Sequence, residues 1–405
     1  MPEQFKKIYA DAASTTRVSD AVLAAMQPFF QTEYGNPSSE HALGFRAKEA
    51  VTRARETIAA QLRCGADELY FTSGGTESDC WAIIGSALAT TKKHLIVSAI
   101  EHPAVLNCCK MLERFGYRVS YAGADADGRI SVRDIEAHIC GDTFLIIAMT
   151  ANNETGVIQP IDEISELSHR HDIPLFSDGV QAVGSVPIDL SLQKVDLFSI
   201  SGHKICGPKG IGLLYVSRRC GIAPIIYGGG QEKGLRSGTE NVAGIVGLAA
   251  AIQQAVSHSD KNAVREMRAL LHGCISRIPY AAINGDRSPT LPGVISACFD
   301  YVEGSDLVRY LSEYGIYASS SSACSTNSVD PSHVLLAMGV PYSRARGALR
   351  LSINESNTLQ EIECICEILP LAVQRLRSQD PEYIRLSRGG SALPEKQLTK
   401  ENTAE

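Results

Sequence analysis

Short apolar runs, each closed by polar or turn residues, recur through the middle of the chain. His94–Ile100 (HLIVSAI), Phe144–Met149 (FLIIAM), Pro174–Phe176 (PLF), Asp196–Ile200 (DLFSI) and Ile211–Val216 (IGLLYV) have the length and branching of buried strands. Periodicity alone does not separate such a run from a buried helix segment. Helical stretches lie between most of them, at Ala42–Leu62, His102–Phe115 and Ile161–His171. That alternation predicts an α/β architecture with a mostly parallel, mixed sheet covered by helices. From about Lys261 the pattern changes to a helix, a short strand-rich region (Gly293–Phe299, Ile316–Ala318) and a closing helix over Leu359–Arg377. The expected division is a large domain over residues 16–260 and a smaller α+β domain made of 1–15 and 261–385. The polar stretch 386–405 reads as a flexible tail.

Polar residues with chemical potential fall just after these runs: Glu101 and His102, Asn152 and Asn153, Asp178, and then Ser201, His203 and Lys204. Ligands of open α/β sheets bind outside the carboxyl ends of the strands, so segments far apart in sequence can converge on one pocket there.

Composition narrows the classes. A chain of 405 residues with 44% hydrophobic and 20% charged positions is long enough for a large core and two or three domains. A net charge of -7 gives no electrostatic reason to expect direct nucleic-acid binding. The 12 cysteines are scattered and form no CxxC pair, which argues against a disulfide framework or a zinc site and for thiols in a reducing compartment. The N-terminus lacks a charged-then-apolar leader, and no run approaches the roughly 18 apolar residues of a membrane span. The expectation is a soluble, cytoplasmic protein.

The sharpest local motif is SGHKICGPKG at Ser201–Gly210. A lysine just beyond a buried strand either forms a Schiff base or is a solvated loop lysine, and the motif alone leaves both open. Asp178, on the preceding strand, is either a turn aspartate in SDG or the partner that keeps a pyridine nitrogen protonated. SGGTES at Ser73–Ser78 offers a phosphate cradle, with Gly75 letting backbone N–H groups approach an anion and Thr76 capping a helix through Trp81–Leu88. It lacks the P-loop spacing of nucleotide triphosphatases. His102 suits stacking on a flat ring and proton transfer, or simply starts a helix before a proline. SSSSACSTNS at Ser319–Ser328 sets the thiol of Cys324 at the centre of a small, polar segment, as a moving nucleophile or as a cysteine without a role. Arg350, in the apolar ALRLSI, needs a partner: a substrate carboxylate or a structural ion pair.

Together these elements resemble the cysteine desulfurases, fold-type I pyridoxal 5'-phosphate (PLP) enzymes similar to aspartate aminotransferases. The resemblance runs from about Ile8 to about Arg377, through YADAASTTRV, YGNPSSEHALG, FTSGGTES, SAIEHPAVL, ANNETGVIQP, SDGVQAVG, SGHKICGPKG, GGGQEKGLRSGTENV and SSSSACSTNS followed by PSHVLLAMG. It implies that Lys204 carries the cofactor, Asp178 pairs with the pyridine nitrogen and His102 stacks on the ring. It also implies that Asn153 and Gln181 lie near the ring hydroxyl. Gly75, Thr76, Ser201 and His203 would bind the phosphate, joined by Thr239 of a partner subunit in a homodimer. Arg350, helped by Asn36 and Asn153, would hold the carboxylate of L-cysteine. Cys324 would take the sulfur as a persulfide, leaving L-alanine, and pass it to an acceptor protein in iron–sulfur cluster assembly, tRNA thiolation or DNA phosphorothioation. Selenocysteine lyase or another PLP-dependent C–S lyase is the competing activity. Three positions depart from the family's usual pattern: Ser321 replaces a glycine before the nucleophile, SINESNT follows Arg350, and Cys206 stands where a bulkier residue is common.

Overall fold

The computed structural model describes residues 7–257, 261–320 and 330–387. Within them the strands are β1 (Ile8–Tyr9), β2 (Leu69–Thr72), β3 (His94–Ser98), β4 (Arg118–Ala122), β5 (Thr143–Ile147), β6 (Leu175–Asp178), β7 (Leu197–Ser201), β8 (Gly212–Val216), β9 (Ala281–Ile283), β10 (Val294–Phe299), β11 (Ile316–Tyr317) and β12 (Ala348–Ser352).

Seven of them form the main sheet in the order β2-β8-β7-β6-β5-β3-β4. The run from β7 to β4 is parallel, and β8 is antiparallel to both β7 and β2. The sheet is therefore mixed, as the sequence predicts, because the chain returns from β7 through the lysine-bearing loop to lie directly beside it. Period-2 alternation splits the buried strands between two apolar layers. Ile96, Ile146 and Phe198 face one layer with Ile58, Leu248 and Ile252 of the helices Ala42–Leu62 and Val242–Ser257. Leu95, Val97, Leu145 and Ile147 face the other, with Trp81 of the helix Gly75–Leu88 and Cys109 of Pro103–Arg114. Both faces being covered, the strands read as continuous apolar runs.

A second core joins Ile8 of β1 to Met267, Phe299, Leu311, Leu351 and Ile365, far along the chain. It lies on the antiparallel sheet β12-β10-β9 and the parallel pair β1-β11. A bridge between Asp11 and Ser352 continues the N-terminal segment alongside β12.

One sequence expectation needs correction. The helix expected through Trp81–Leu88 begins at Gly75, with Gly74 at the cap position and no side-chain cap. Thr76 therefore sits inside the first helical turn and does not cap it. Glycine permits the sharp entry into the helix without a side-chain oxygen. Among the described residues, no single helix is long and apolar enough to cross a membrane.

Candidate active site

The carboxyl ends of β3, β5, β6 and β7 bring the sequence-predicted residues together. Asp178 is the last residue of β6 and is 6% exposed. Gly179 turns the chain immediately after it, and a Cβ there would lie 1.9 Å from Phe198 Cζ, so only glycine fits. Asp178 Oδ1 accepts the Val180 N–H at 2.9 Å and, at a long 3.5 Å, the Ser199 hydroxyl of the neighbouring strand. Burial raises its pKa, opposed by the nearby His102 and Lys204.

His102 caps the helix Pro103–Arg114, its Nδ1 accepting the Ala104 N–H at 3.1 Å. That bond leaves Nε2 as the protonated nitrogen of the neutral ring. Burial holds the imidazole below its usual pKa, against the pull of Asp178.

Lys204 closes the short 3-10 turn Gly202–Lys204 beyond β7. Its Nζ donates to the carbonyls of Ala13 at 2.7 Å and Ser14 at 2.9 Å. Gln181 Nε2 donates to the same Ala13 carbonyl at 2.9 Å, so Gln181 and Lys204 meet on one acceptor. His203 sits beside Thr15, Nδ1 to Oγ1 3.2 Å, and is kept neutral: burial and the two lysines beside it push its pKa down to about 4.

The glycine-rich turn fits an anionic group. The first N–H groups of a helix have no upstream carbonyl within it and attract negative charge. A Cβ on Gly75 would stand 2.9 Å from Val180 Cγ2 and 3.5 Å from Ser201 Cβ, so glycine keeps open the space between the helix start and the end of β7. Thr76 is exposed there, whereas Ser201 is buried at 3%. Thr239 is exposed and lines a cavity of about 180 Å³ with Ser73, Glu240 and Asn241 of the same chain.

Arg350 is 2% exposed on β12. Its Nη2 reaches Asp11 Oδ1 at 3.0 Å and Ser14 Oγ at 2.6 Å, and its Nη1 reaches the Asn153 carbonyl at 2.7 Å. Its Nε is buried with no partner. The structural ion pair weighed from sequence is thus present. Asn153 is buried and meets Arg350 through its backbone. Asn36 is exposed, its Oδ1 accepting the Ser38 N–H at 2.9 Å.

Cys324 and Ser321 lie outside the described residues. The residues on either side of that stretch are fastened to the site. Ser319 exchanges backbone hydrogen bonds with Arg350, and the Ser332 hydroxyl donates to the buried Glu154. His333 Nε2 donates to the Glu101 carbonyl at 2.9 Å.

Lys204, Asp178 and His102 thus lie at the carboxyl edge of a mixed sheet. Residues 8–365 match the model of the family described as Aminotransferase class-V. The chain belongs to that family. It is 43% identical over 381 residues to a protein of Methanosarcina thermophila named cysteine desulfurase IscS, covering 93% of this chain and 94% of that relative. It is likewise 43% identical to a cysteine desulfurase of Nostoc sp., over 92% of this chain and 94% of the relative. Its fold is similar to a solved structure titled NIFS-like protein, with a TM-score of 0.85 and 37% identity over 91% of this chain and all of that one. A second, titled SspA in complex with cysteine, has a TM-score of 0.76 and 37% identity over 86% and 99% of the two chains.

Several participants carried no assigned role from sequence. Asp11 and Ser14 hold Arg350 from 339 and 336 positions away. Glu101 is fully buried, its pKa pushed up to about 8 by burial. Glu154 is pushed up to about 7 for the same reason. The available signal was acidic residues inside quoted motifs, YADAAS, SAIEHP and ANNET, directly beside candidate residues.

Proposed function

We infer that this chain is a cysteine desulfurase that uses pyridoxal 5'-phosphate to take sulfur from L-cysteine, releasing L-alanine and leaving a persulfide on Cys324. The observation that carries the reading is the placement of His102, Asp178 and Lys204 at the carboxyl ends of β3, β6 and β7, where Asp178 and Lys204 act on the His102 imidazole and His102 and Lys204 act on the Asp178 carboxyl. When bound, pyridoxal phosphate supplies an electron sink for the substrate's α-carbon.

The chain's own residues do the rest. Gly75, Thr76, Ser201 and His203 hold the phosphate, with Thr239 supplied by a second copy of the chain. Asp178 would keep the pyridine nitrogen protonated, and Gln181 and Asn153 would bind near the ring hydroxyl. Lys204, whose Nζ is oriented by the Ala13 and Ser14 carbonyls, would hold the cofactor and move protons. His102 would stack on the ring, with Nε2 available for proton transfer because Nδ1 accepts the Ala104 N–H. Arg350, with Asn36, holds the substrate carboxylate. The Cys324 thiolate attacks the substrate sulfur; the C–S bond breaks, its electron pair stays with carbon, and protonation of that carbon yields alanine. The new S–S bond is the persulfide, which an acceptor thiol removes.

A homodimer accords with the exposed apolar side chains Phe30, Tyr34, Phe45 and Tyr227. The free thiols among the described cysteines accord with a reducing cytoplasm. The second core, of β1 and residues beyond 261, is the basis for a separate small domain.

The test is alanine and sulfide release from L-cysteine with a reductant, for wild type, Cys324→Ala and Lys204→Ala, with L-selenocysteine as a parallel substrate. Equal alanine and sulfide from wild type, with both variants inactive, supports the reading. Full sulfur release by Cys324→Ala removes the persulfide role. Turnover of selenocysteine without cysteine makes the protein a selenocysteine lyase.

A further inference from the structure

His102 is presented by a short stretch that is neither strand nor helix. Residues 99–102 join β3 to the helix Pro103–Arg114, and Ile100 and Glu101 are fully buried. Buried carbonyls in such a stretch need partners from elsewhere in the chain. Two successive ones are met by side chains: Asn152 Nδ2 donates to the Ile100 carbonyl at 2.9 Å, and His333 Nε2 to the Glu101 carbonyl at 2.9 Å. A carbonyl only accepts, so Nε2 of His333 carries a proton.

The bond from His333 acts on the backbone of His102. The Glu101 carbonyl and the His102 nitrogen share one planar peptide unit. Pro103 restricts His102 to extended backbone, where it stands at φ -60° and ψ 147°. With ψ limited by the proline, the turn of that peptide unit sets φ, and with it the direction in which the imidazole leaves the chain. His333 therefore holds the torsion that the proline leaves open. It is itself firmly seated. Ser332 Oγ accepts the Val334 and Leu335 N–H groups at 3.1 and 3.2 Å, so its single proton goes to the buried Glu154. Val334 and Leu335 are buried in the apolar layer of Ile96 and Ile146. Burial also keeps the His333 imidazole below its usual pKa, which favours the neutral ring with its hydrogen on Nε2.

We propose that His333 is a positioning residue for His102: its Nε2–H fixes the peptide unit ahead of His102, sets the direction of the His102 ring towards the cofactor, and takes no part in proton transfer itself. The proposal rests on the pyridoxal-phosphate reading above. It gives the helix His333–Ala337 a task in the site through its first residue, with Ser332 and Glu154 as the fastening behind it.

The experiment compares wild type with His333→Phe, His333→Ala and His333→Gln. Phenylalanine keeps a ring without the donor, and glutamine places an amide N–H at a similar reach. In alanine release from L-cysteine, kcat of His333→Phe and His333→Ala is expected to fall about tenfold or more, with KM within about twofold of wild type. His333→Gln is expected to recover most of that loss. A wild-type kcat in the donor-free variants overturns the proposal, and a lowered melting midpoint beside it marks a purely structural residue. A loss in His333→Gln as deep as in the donor-free variants also overturns it, because the imidazole is then needed for more than its N–H. Should His333→Ala not be recovered folded, His333→Phe carries the same decision. As an independent readout, nitrogen NMR of the histidine rings in the cofactor-free proteins follows His102, assigned by the signals lost in His102→Gln. The Nε2–H tautomer set by the Ala104 N–H is expected to give way to a mixture in His333→Phe and to return in His333→Gln. An unmoved tautomer overturns the proposal. A wild type that takes up no pyridoxal phosphate defeats the parent reading, and the NMR result still judges His333.

Discussion

Replacing Glu101 by glutamine separates a buried acid that holds its proton from one that pairs as an anion. Glu101 is fully buried, and its Oε1 accepts the Ser98 hydroxyl at 2.5 Å and the Met149 N–H at 2.7 Å, while Oε2 has no partner. Burial pushes its pKa from 4.5 up to about 8. The folded state therefore keeps a proton that the unfolded state releases, and stability falls as pH rises from 4.5 towards 8. At about 1.4 kcal/mol per pH unit, the penalty is about 1.4 kcal/mol at pH 5.5 and levels off at about 4.7 kcal/mol by pH 9. Glutamine has no such proton to lose. Its second N–H finds no partner at the Oε2 position, a cost of about 1–3 kcal/mol that is the same at both pH values and drops out of the comparison. The stability of Glu101→Gln relative to wild type should then rise by about 3 kcal/mol between pH 5.5 and pH 9. Urea unfolding of both cofactor-free proteins, at matched protein concentration, measures it. A relative stability that stays flat, or falls with pH, refutes the reasoning, because Glu101 would then be a stabilising anion.

Two further outcomes follow from contacts in the site. Gly179→Ala drives a methyl group to 1.9 Å from Phe198 Cζ and should destabilise by about 1–3 kcal/mol or more, with Phe198→Leu relieving part of it; a melting midpoint equal to wild type would contradict this geometry. Arg350→Lys gives up the planar fork that reaches Asp11, Ser14 and Asn153 together, and KM for L-cysteine should rise by about tenfold or more; an unchanged KM would leave Arg350 a purely structural residue.

The parallel strands were legible because β3, β5, β6 and β7 are buried on both faces, which leaves unbroken apolar runs in the sequence. Their polar punctuation then pointed to Asp178, Lys204 and His102. β4 was not legible: RVSYA at the sheet edge is mostly exposed or half-buried and has no apolar run to detect. Nor was the start of the helix at Gly75, since that start uses no Ser, Thr, Asp or Asn cap. Pairs such as Ser332–Glu154, 178 positions apart, leave no local pattern at all. Arg350 marks the boundary between the two cases. A lone charge in ALRLSI announced that a partner existed, and only the fold could say that Asp11 was one.

The segment Asp11–Thr16 connects both halves of the site and explains why YADAASTT, with almost no chemistry of its own, belongs to it. Its start runs beside β12, where the Ser352 carbonyl accepts the Ala12 N–H and Asp11 pairs with Arg350. Two residues later Ala13 and Ser14 present carbonyls to Lys204, and Thr16 then binds the His203 carbonyl through both its N–H and its hydroxyl. Cys206 completes the clasp by donating its N–H to Thr16 Oγ1 at 2.7 Å, in the left-handed conformation at φ 59°. The group assigned to the substrate carboxylate and the amine assigned to the cofactor are thus set by one short stretch of backbone. Hydrogen bonds of this kind hold side chains to a fixed separation at little further entropic cost once the segment is ordered. A shift of the β12 sheet against the main sheet would strain this segment before it moved either group. The distance between Arg350 and Lys204 is therefore a property of Asp11–Thr16 as much as of the two sheets it joins.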